Sequence, residues 1–185
     1  MRVIAGVAKG RRLKSPAGLD TRPLTGRAKE ALFSSLANVT ADARVLDLYA
    51  GTGSIGLEAL SRGAASCVFV ERDRTSMQAL QANVEAVGLG GEAVLRDVDR
   101  FLGADEKSYD LVFVDPPYAL ALASVEAVLD RLVPRLATGA IVVLHRRARG
   151  ETPRVPAMLA LTDRRRYGDS ELWRYERLNE TQEET

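Results

Sequence analysis

The chain has 185 residues, of which 46% are hydrophobic and 28% are charged, a composition that predicts one globular domain with a buried core. One cysteine (Cys67) and one histidine (His145) exclude an internal disulfide and argue against a protein-bound metal. No apolar run approaches the roughly 20 residues that cross a bilayer, and the first residues lack the apolar centre of a signal peptide. These features predict a cytoplasmic protein with no metal and no membrane partner.

The positive charge is concentrated at the start of the chain, although the formal net charge is only +1. Residues 1–40 contain eight Lys or Arg residues against Asp20 and Glu30, which leaves +6 there and −5 in the remainder. Such an arm either contacts a nucleic-acid backbone, where it displaces counterions, or is an ordinary solvated face. The candidate contacts are Arg2, Lys9, Arg11, Arg12, Lys14, Arg22 and Arg27.

The first forty residues predict a hairpin followed by a helix. The glycine-punctuated stretch RVIAGVAKGRRLKSP is typical of a short hairpin, and TGRAKEALFSSLANV has the apolar spacing of an amphipathic helix. Thr25 is a suitable N-cap for that helix, because its hydroxyl can accept from the first free backbone N–H groups. We treat residues 1–40 as a basic N-terminal extension.

From Val45 onward, short apolar runs alternate with helix-length segments. The runs RVLDLYA, SCVFVER, EAVLRD, YDLVFVD and GAIVVLHR are predicted strands, and helices are predicted between them. Strand–helix–strand units at this spacing are typical of parallel pairs with right-handed crossovers, so the pattern predicts a doubly wound α/β sheet. Two last strands, joined by a turn at Gly168 and Asp169, add an antiparallel hairpin and make seven strands. Residues 41–178 form this main domain, and residues 179–185 are a disordered acidic tail.

The stretch LDLYAGTGSIGLEAL (46–60) contains the spacing Gly51-x-Gly53-x-x-Gly56, which places glycines where a strand turns tightly into a helix. Glu71 follows Gly51 by twenty positions, at the end of the next strand, where a carboxylate can accept from ribose hydroxyls. Both NAD and S-adenosylmethionine carry an adenosine that suits this arrangement. The loop alone therefore leaves the ligand open.

Two acidic positions, Asp47 and Asp97, together with the motif DPPY (115–118), favour the methyl donor over the hydride carrier. Asp47 lies inside the first strand, where it can engage the cationic methionine end but would be unfavourable beside a pyrophosphate. Asp97 follows the third strand and can accept from the adenine amino group. Asp47, Asp97 and Glu71 also have purely structural interpretations: Asp47 as a capping carboxylate of the loop, Asp97 as a helix N-cap, and Glu71 as the partner of an arginine.

The motif DPPY, Asp115 to Tyr118, ends the fourth predicted strand of the sheet. Two prolines fix the backbone, so that carbonyls and the Asp115 carboxylate can accept from the exocyclic amine of a nucleobase and localise its lone pair. Tyr118 can stack on the base. The alternative is a plain strand-ending turn. Methylation at C5 of cytosine is set aside because it needs a cysteine nucleophile, and Cys67 starts the second strand, where a small buried residue is expected.

The segments RVIAGVAKGRRLKSP, TRPLTGRAKEALFSSL, LDLYAGTGSIGLEALSRGA and DLVFVDPPY, in this order, resemble the RsmD family of bacterial 16S ribosomal RNA guanine-N2 methyltransferases. The similarity extends from the first residues to about Arg177. It implies a Rossmann-like class I methyltransferase that uses S-adenosylmethionine to methylate the N2 amine of one guanine in 16S rRNA, within a partly or fully assembled 30S subunit. With an RNA substrate, the concentrated positive charge of the N-terminal extension leads us to expect that it contacts RNA.

The resemblance also implies roles for individual residues. Asp115, Pro116, Pro117 and Tyr118 would lie by the guanine. The donor would be bound around the glycine loop, with Glu71 at its ribose and Asp97 at its adenine. The full set of expected donor contacts is Asp47, Tyr49, Ala50, Gly51, Thr52, Gly53, Glu71, Arg72, Asp97 and Val98.

One position departs from the family pattern. His145 stands at the end of the fifth strand, where many members have an acidic residue, and we expect it to be a surface or strand-end histidine rather than a catalytic base. Two other functions stay open at this point. One is a DNA adenine-N6 methyltransferase, which uses the same DPPY chemistry but is disfavoured because the chain has no large insertion to read a duplex. The other is a nucleic-acid-binding protein that has lost turnover.

Overall fold

The computed structural model describes residues 1–16 and 24–179. Arg22 and residues 180–185 of the predicted tail lie outside the described residues. The helices are α1 (Gly26–Ser35), α2 (Ala37–Thr40), α3 (Ser54–Ser61), α4 (Arg74–Val87), α5 (Val98–Ala104) and α6 (Leu122–Leu132), the last continued by a 3-10 turn at Val133–Arg135. The strands are β1 (Arg44–Leu48), β2 (Ser66–Glu71), β3 (Glu92–Leu95), β4 (Tyr109–Val114), β5 (Leu136–Arg147), β6 (Leu159–Tyr167) and β7 (Ser170–Arg177).

These strands form one seven-stranded sheet in the order β3-β2-β1-β4-β5-β7-β6. The first five are parallel, and β7 runs antiparallel to both β5 and β6. Four successive residues of β1 and five of β2 are buried, as expected for strands covered by helices on both faces. The predicted doubly wound sheet with a C-terminal hairpin is therefore confirmed. Cys67 is buried in β2, which confirms its prediction as a small buried residue.

The strand order reverses between β1 and β4. After β1 the chain builds β2 and β3 on one side, then returns to place β4 on the other. The loops that leave the carboxyl ends of β1 and β4 consequently diverge, and the crevice between them is where α/β sheets of this kind bind ligands. The glycine loop follows β1 and the DPPY turn follows β4, so the topology brings both motifs to this crevice.

The N-terminal segment folds back as the predicted hairpin, with one antiparallel bridge between Arg2 and Arg12. It is fixed to the main domain through Glu58 of α3, which is fully buried. The Glu58 carboxylate accepts the backbone N–H groups of Ile4 and Ala5 at 2.7 and 3.0 Å. It also pairs with the buried Lys29 ammonium at 3.2 Å. The hairpin is therefore anchored by a buried charge pair and not only by apolar contact.

Helix α1 begins where the sequence predicts, with the Thr25 hydroxyl accepting from the Ala28 N–H. It packs with the hairpin into the same apolar cluster as β1 and α3, through residues such as Val3, Phe33 and Leu36. The division of the chain at residue 40 stays a prediction, and the two parts share one core. In residues 1–16 and 24–179, no helix has the length and apolar character needed to cross a membrane.

Candidate active site

The loop after β1 turns sharply through three residues with left-handed backbone. Tyr49, Gly51 and Gly53 have φ angles of 62°, 56° and 80°. At Gly53 a side chain would also collide with the core, because an added Cβ would lie 2.3 Å from Cδ1 of Leu80. At Gly51 the same position faces open space. Gly53 therefore lies too close to the core to carry a side chain, whereas the outer side of Gly51 is accessible to a ligand.

Asp47 lies beneath this loop and is only 1% exposed. Its Oδ2 accepts the Gly56 N–H at 2.9 Å, in the first turn of α3. The structure therefore shows the capping role that the sequence left open. Burial, with smaller contributions from the neighbouring charges of Asp115 and Glu71, raises the pKa of Asp47 to about 7, although the Gly56 hydrogen bond opposes the shift. A cation bound in the crevice would favour the ionised form of this carboxyl.

Glu71 ends β2 and braces the glycine loop. Its two carboxylate oxygens accept the N–H groups of Gly51 and Asp73, at 2.9 and 2.6 Å. These contacts, and not an arginine, hold the side chain in place. Each carboxylate oxygen has a second lone pair, so Glu71 keeps the capacity to accept from the hydroxyls of a ribose.

The adenine side of the predicted site lies at the end of β3. Asp97 is the N-cap of α5, accepts from the Asp99 N–H at 3.1 Å, and forms an ion pair with Arg72 at 3.8 Å. Val98 is buried, whereas Arg72 is exposed. Here too the structural alternative, a helix N-cap, is what the described contacts show, and the exposed part of Asp97 remains available to a ligand.

The N-terminal segment reaches the glycine loop through Asn83 of α4, which is 1% exposed. Its side-chain amide donates to the carbonyls of Lys14 and Thr52, both at 3.0 Å, and its oxygen accepts the Lys14 N–H at 2.7 Å. One side chain thus joins the basic extension to the loop predicted to hold the donor. Asn83 is not predictable from the sequence, because an asparagine within a helix has no local signature of a long-range contact.

Asp115 follows β4 directly, where Val114 pairs with Leu48 of β1. The Asp115 N–H donates to the Leu48 carbonyl at 3.3 Å, so the acidic turn leaves the sheet beside the glycine loop. Its Oδ1 lies 2.6 Å from Nδ1 of His145, which is 2% exposed. The expectation of a surface histidine is wrong: the imidazole stands at the strand end but is buried because the DPPY turn and β7 cover it.

Tyr118 packs on the same imidazole. Its hydroxyl lies 3.2 Å from Nε2 of His145 and 3.3 Å from the Ser170 hydroxyl, at the start of β7. The Arg147 guanidinium lies 5.6 Å from the centre of the Tyr118 ring. Arg146 donates to the carbonyls of Pro117 and Leu120, at 3.2 and 3.1 Å. Side chains from the ends of β5 and β7 therefore hold the DPPY turn, and the sequence analysis identified none of these contacts.

The predicted RNA contacts within the described residues are all exposed: Arg2, Lys9, Arg11, Arg12, Lys14 and Arg27. Most of them belong to the docked hairpin, and the Arg11 guanidinium donates to the Ala86 carbonyl of α4 at 2.8 Å. The described part of the extension is thus docked against the main domain while these six basic side chains stay exposed. Within residues 1–16 and 24–179, no group of three His, Cys, Asp or Glu side chains is arranged to hold a metal ion.

The crevice fits a ligand that combines a cation with hydroxyl groups. Glu71 and Asp115 lie at the strand ends beside it, Asp47 is buried under the loop, and the open side of Gly51 leaves space above the loop. Such an acidic environment suits a sulfonium and a ribose and opposes an anionic pyrophosphate. The residues present therefore fit S-adenosylmethionine better than a dinucleotide.

Comparisons with known proteins support a methyltransferase site. Residues 1–176 match the model of a family described as "Conserved hypothetical protein 95". The Bacillus subtilis protein "Putative rRNA methyltransferase YlbH" is 37% identical over 174 residues, 91% of this chain and 94% of that protein. The Escherichia coli "Ribosomal RNA small subunit methyltransferase D" is 37% identical over 164 residues, 87% and 82% of the two chains. The solved structure "Putative methyltransferase yhhF from Escherichia coli" is 36% identical with a TM-score of 0.85, over 96% of this chain and 98% of that one.

Proposed function

This chain belongs to the conserved hypothetical protein 95 family, which confirms its resemblance to the RsmD methyltransferases, and on that premise we propose that it methylates the N2 amine of a guanine in 16S rRNA. The enzyme is an S-adenosylmethionine-dependent rRNA methyltransferase. The partner is 16S rRNA, and the form we propose as substrate is a partly or fully assembled 30S subunit. The relatives' names support the rRNA substrate, and the DPPY turn supports the amine as acceptor.

One observation carries the proposal: the acidic turn and the glycine loop leave adjacent strands at the same level, joined by the Asp115 N–H to the Leu48 carbonyl at 3.3 Å. When bound, S-adenosylmethionine would supply an electrophilic methyl group: the amine nitrogen would bond to this carbon, the carbon–sulfur electron pair would stay on sulfur, and the amine proton would pass to solvent. The Asp115 carboxylate and a backbone carbonyl of the same proline-fixed turn can accept from the amine hydrogens. Positioning and electrostatics supply the acceleration.

Each part of the site has a proposed task. The loop Tyr49 to Gly53 binds the methionine end of the donor, with Asp47 beneath it. Glu71 accepts from the ribose hydroxyls, and Asp97, with Arg72 and Val98 beside it, meets the adenine. Tyr118 faces the target base, which must leave its helix or loop to reach the turn. The basic extension contacts phosphates around the target.

The test is a transfer assay with methyl-labelled S-adenosylmethionine. The protein is incubated separately with naked 16S rRNA, 30S particles and duplex DNA, and the labelled nucleoside is identified after digestion. The proposal expects N2-methylguanosine from an rRNA substrate, and a comparison of naked and assembled rRNA defines the partner. Label found only in DNA adenine would overturn it in favour of the DNA enzyme. Failure to bind the donor in calorimetry would favour a non-catalytic binding protein.

A further inference from the structure

The DPPY turn is held by a row of hydrogen-bonded side chains that no motif predicts. The row runs from Asp115 through both nitrogens of His145 to the Tyr118 hydroxyl and ends at Ser170. It crosses from the turn after β4 to the ends of β5 and β7. We infer that His145 is a positioning residue: it fixes the amine-accepting carboxylate of Asp115 and the base-contacting ring of Tyr118 relative to each other. This inference rests on the proposed function.

The chemistry of the partners assigns the protons in this row. An ionised carboxylate can only accept, so the 2.6 Å contact requires that Nδ1 of His145 carries a proton and donates to Asp115. In the neutral ring Nε2 is then an acceptor, and the Tyr118 O–H donates to it. Burial of the imidazole is tolerated because both nitrogens have partners.

This arrangement divides the two functions of the turn between the two ring nitrogens. The Nδ1–H bond fixes Asp115, whose second carboxylate oxygen remains to accept from the target amine. The Nε2 bond fixes Tyr118, whose ring stands at 72° to the imidazole with the ring centres 5.7 Å apart. Loss of the first bond should lower kcat, because the amine is misplaced. Loss of the second should raise KM for RNA, because the base is held less well.

Because His145 is the only histidine in the sequence, its ring can be observed directly. Protein prepared without a histidine tag and labelled with 15N-histidine should give one pair of ring nitrogen signals, with Nδ1 protonated and Nε2 unprotonated near neutral pH. Asp115→Asn should shift the Nδ1 signal, and Tyr118→Phe the Nε2 signal. A ring with Nδ1 unprotonated, or signals unchanged in both variants, would overturn the inference, and this result does not depend on any activity.

Two substitutions separate the bonds kinetically. The amide of His145→Asn can replace the Nδ1–H donor to Asp115, and the amide of His145→Gln can reach the position of Nε2 beside Tyr118. We expect His145→Gln to lower kcat roughly 10- to 100-fold, the effect of a lost hydrogen bond to a charged group. We expect His145→Asn to retain most of kcat but raise KM for RNA several-fold, as Tyr118→Phe should.

The outcomes distinguish this inference from the proposed function. Donor affinity, measured by calorimetry, should be unchanged in both histidine variants, since neither ring contact reaches the glycine loop. Equal losses of kcat in His145→Asn and His145→Gln, accompanied by equal falls in thermal midpoint, would show a merely structural histidine and overturn the inference while the enzyme remains an rRNA methyltransferase. A wild-type protein that methylates no rRNA guanine would instead remove the proposed function, and the nitrogen signals would still test the hydrogen-bonded row.

Discussion

The buried Asp47 carboxyl should make the enzyme less stable as the pH rises. Its pKa is raised from 3.8 to about 7 in the folded chain, so the folded state keeps a proton that the unfolded state loses above pH 4. Stability therefore falls between about pH 4 and pH 7 and is constant above that range. Asp47→Asn removes this titration and keeps an oxygen that can accept the Gly56 N–H at the same place.

The size of the effect follows from the shift. A difference of about three pKa units corresponds to about 4 kcal/mol of unfolding free energy at 1.36 kcal/mol per unit. Stability stops falling at the folded pKa of about 7, so about two of these three units lie within the interval from pH 5 to pH 8. The unfolding free energy of Asp47→Asn, relative to wild type, should therefore rise by about 3 kcal/mol over that interval.

Urea unfolding of both proteins at pH 5 and pH 8 measures this change. Asp110→Asn is the control: the hydrogen-bonded Arg44 guanidinium lowers the pKa of this carboxyl, so the difference in unfolding free energy from wild type should not vary between pH 5 and pH 8. An equal difference in unfolding free energy between Asp47→Asn and wild type at pH 5 and pH 8 would refute this prediction. Asp47 would then have the same pKa in the folded and the unfolded state. The same variant should bind S-adenosylmethionine more weakly at pH 8, because a carboxylate near the cation is lost.

Three further predictions concern the extension and its anchors. Glu58→Gln leaves the buried Lys29 ammonium without a counter-charge and should lower the unfolding free energy by about 3 to 5 kcal/mol in urea, whereas adding Lys29→Met should restore part of the loss. Asn83→Leu should weaken donor binding in calorimetry, because Thr52 loses its link to Lys14; an unchanged affinity would show that the loop does not depend on it. Neutralising Arg11 and Arg12 should weaken RNA binding and flatten its salt dependence, and an unaltered salt slope would remove the extension from the RNA interface.

Much of the fold is predictable from sequence because its signals are local. Apolar runs with flanking turns placed all seven strands, and the Thr25 cap and the turn at Gly168 and Asp169 are encoded by residues within a few positions of each other. The glycine loop and the DPPY turn were also predictable, because glycine and proline determine the backbone conformation at their own positions. Their meeting at one crevice follows from the strand order alone.

The contacts missed from sequence are long-range. His145 is thirty positions from Asp115, and Asn83 is sixty-nine from Lys14, so no local pattern connects them. The two interpretations of Asp47 could not be separated either, because its bond to Gly56 depends on how α3 packs above β1. A chain with a single histidine at a strand end gives only a weak hint, since strand-end polar residues are usually solvated.

The most direct test of the central claim compares methyl transfer with donor affinity in Asp115→Ala. The acidic turn lies beside the donor loop and acts on the acceptor amine, so transfer to rRNA should fall at least about 100-fold. Calorimetry should show S-adenosylmethionine affinity within a few-fold of wild type. If donor affinity falls as much as the transfer rate, Asp115 belongs to the donor site, and the account of an amine-positioning turn is contradicted.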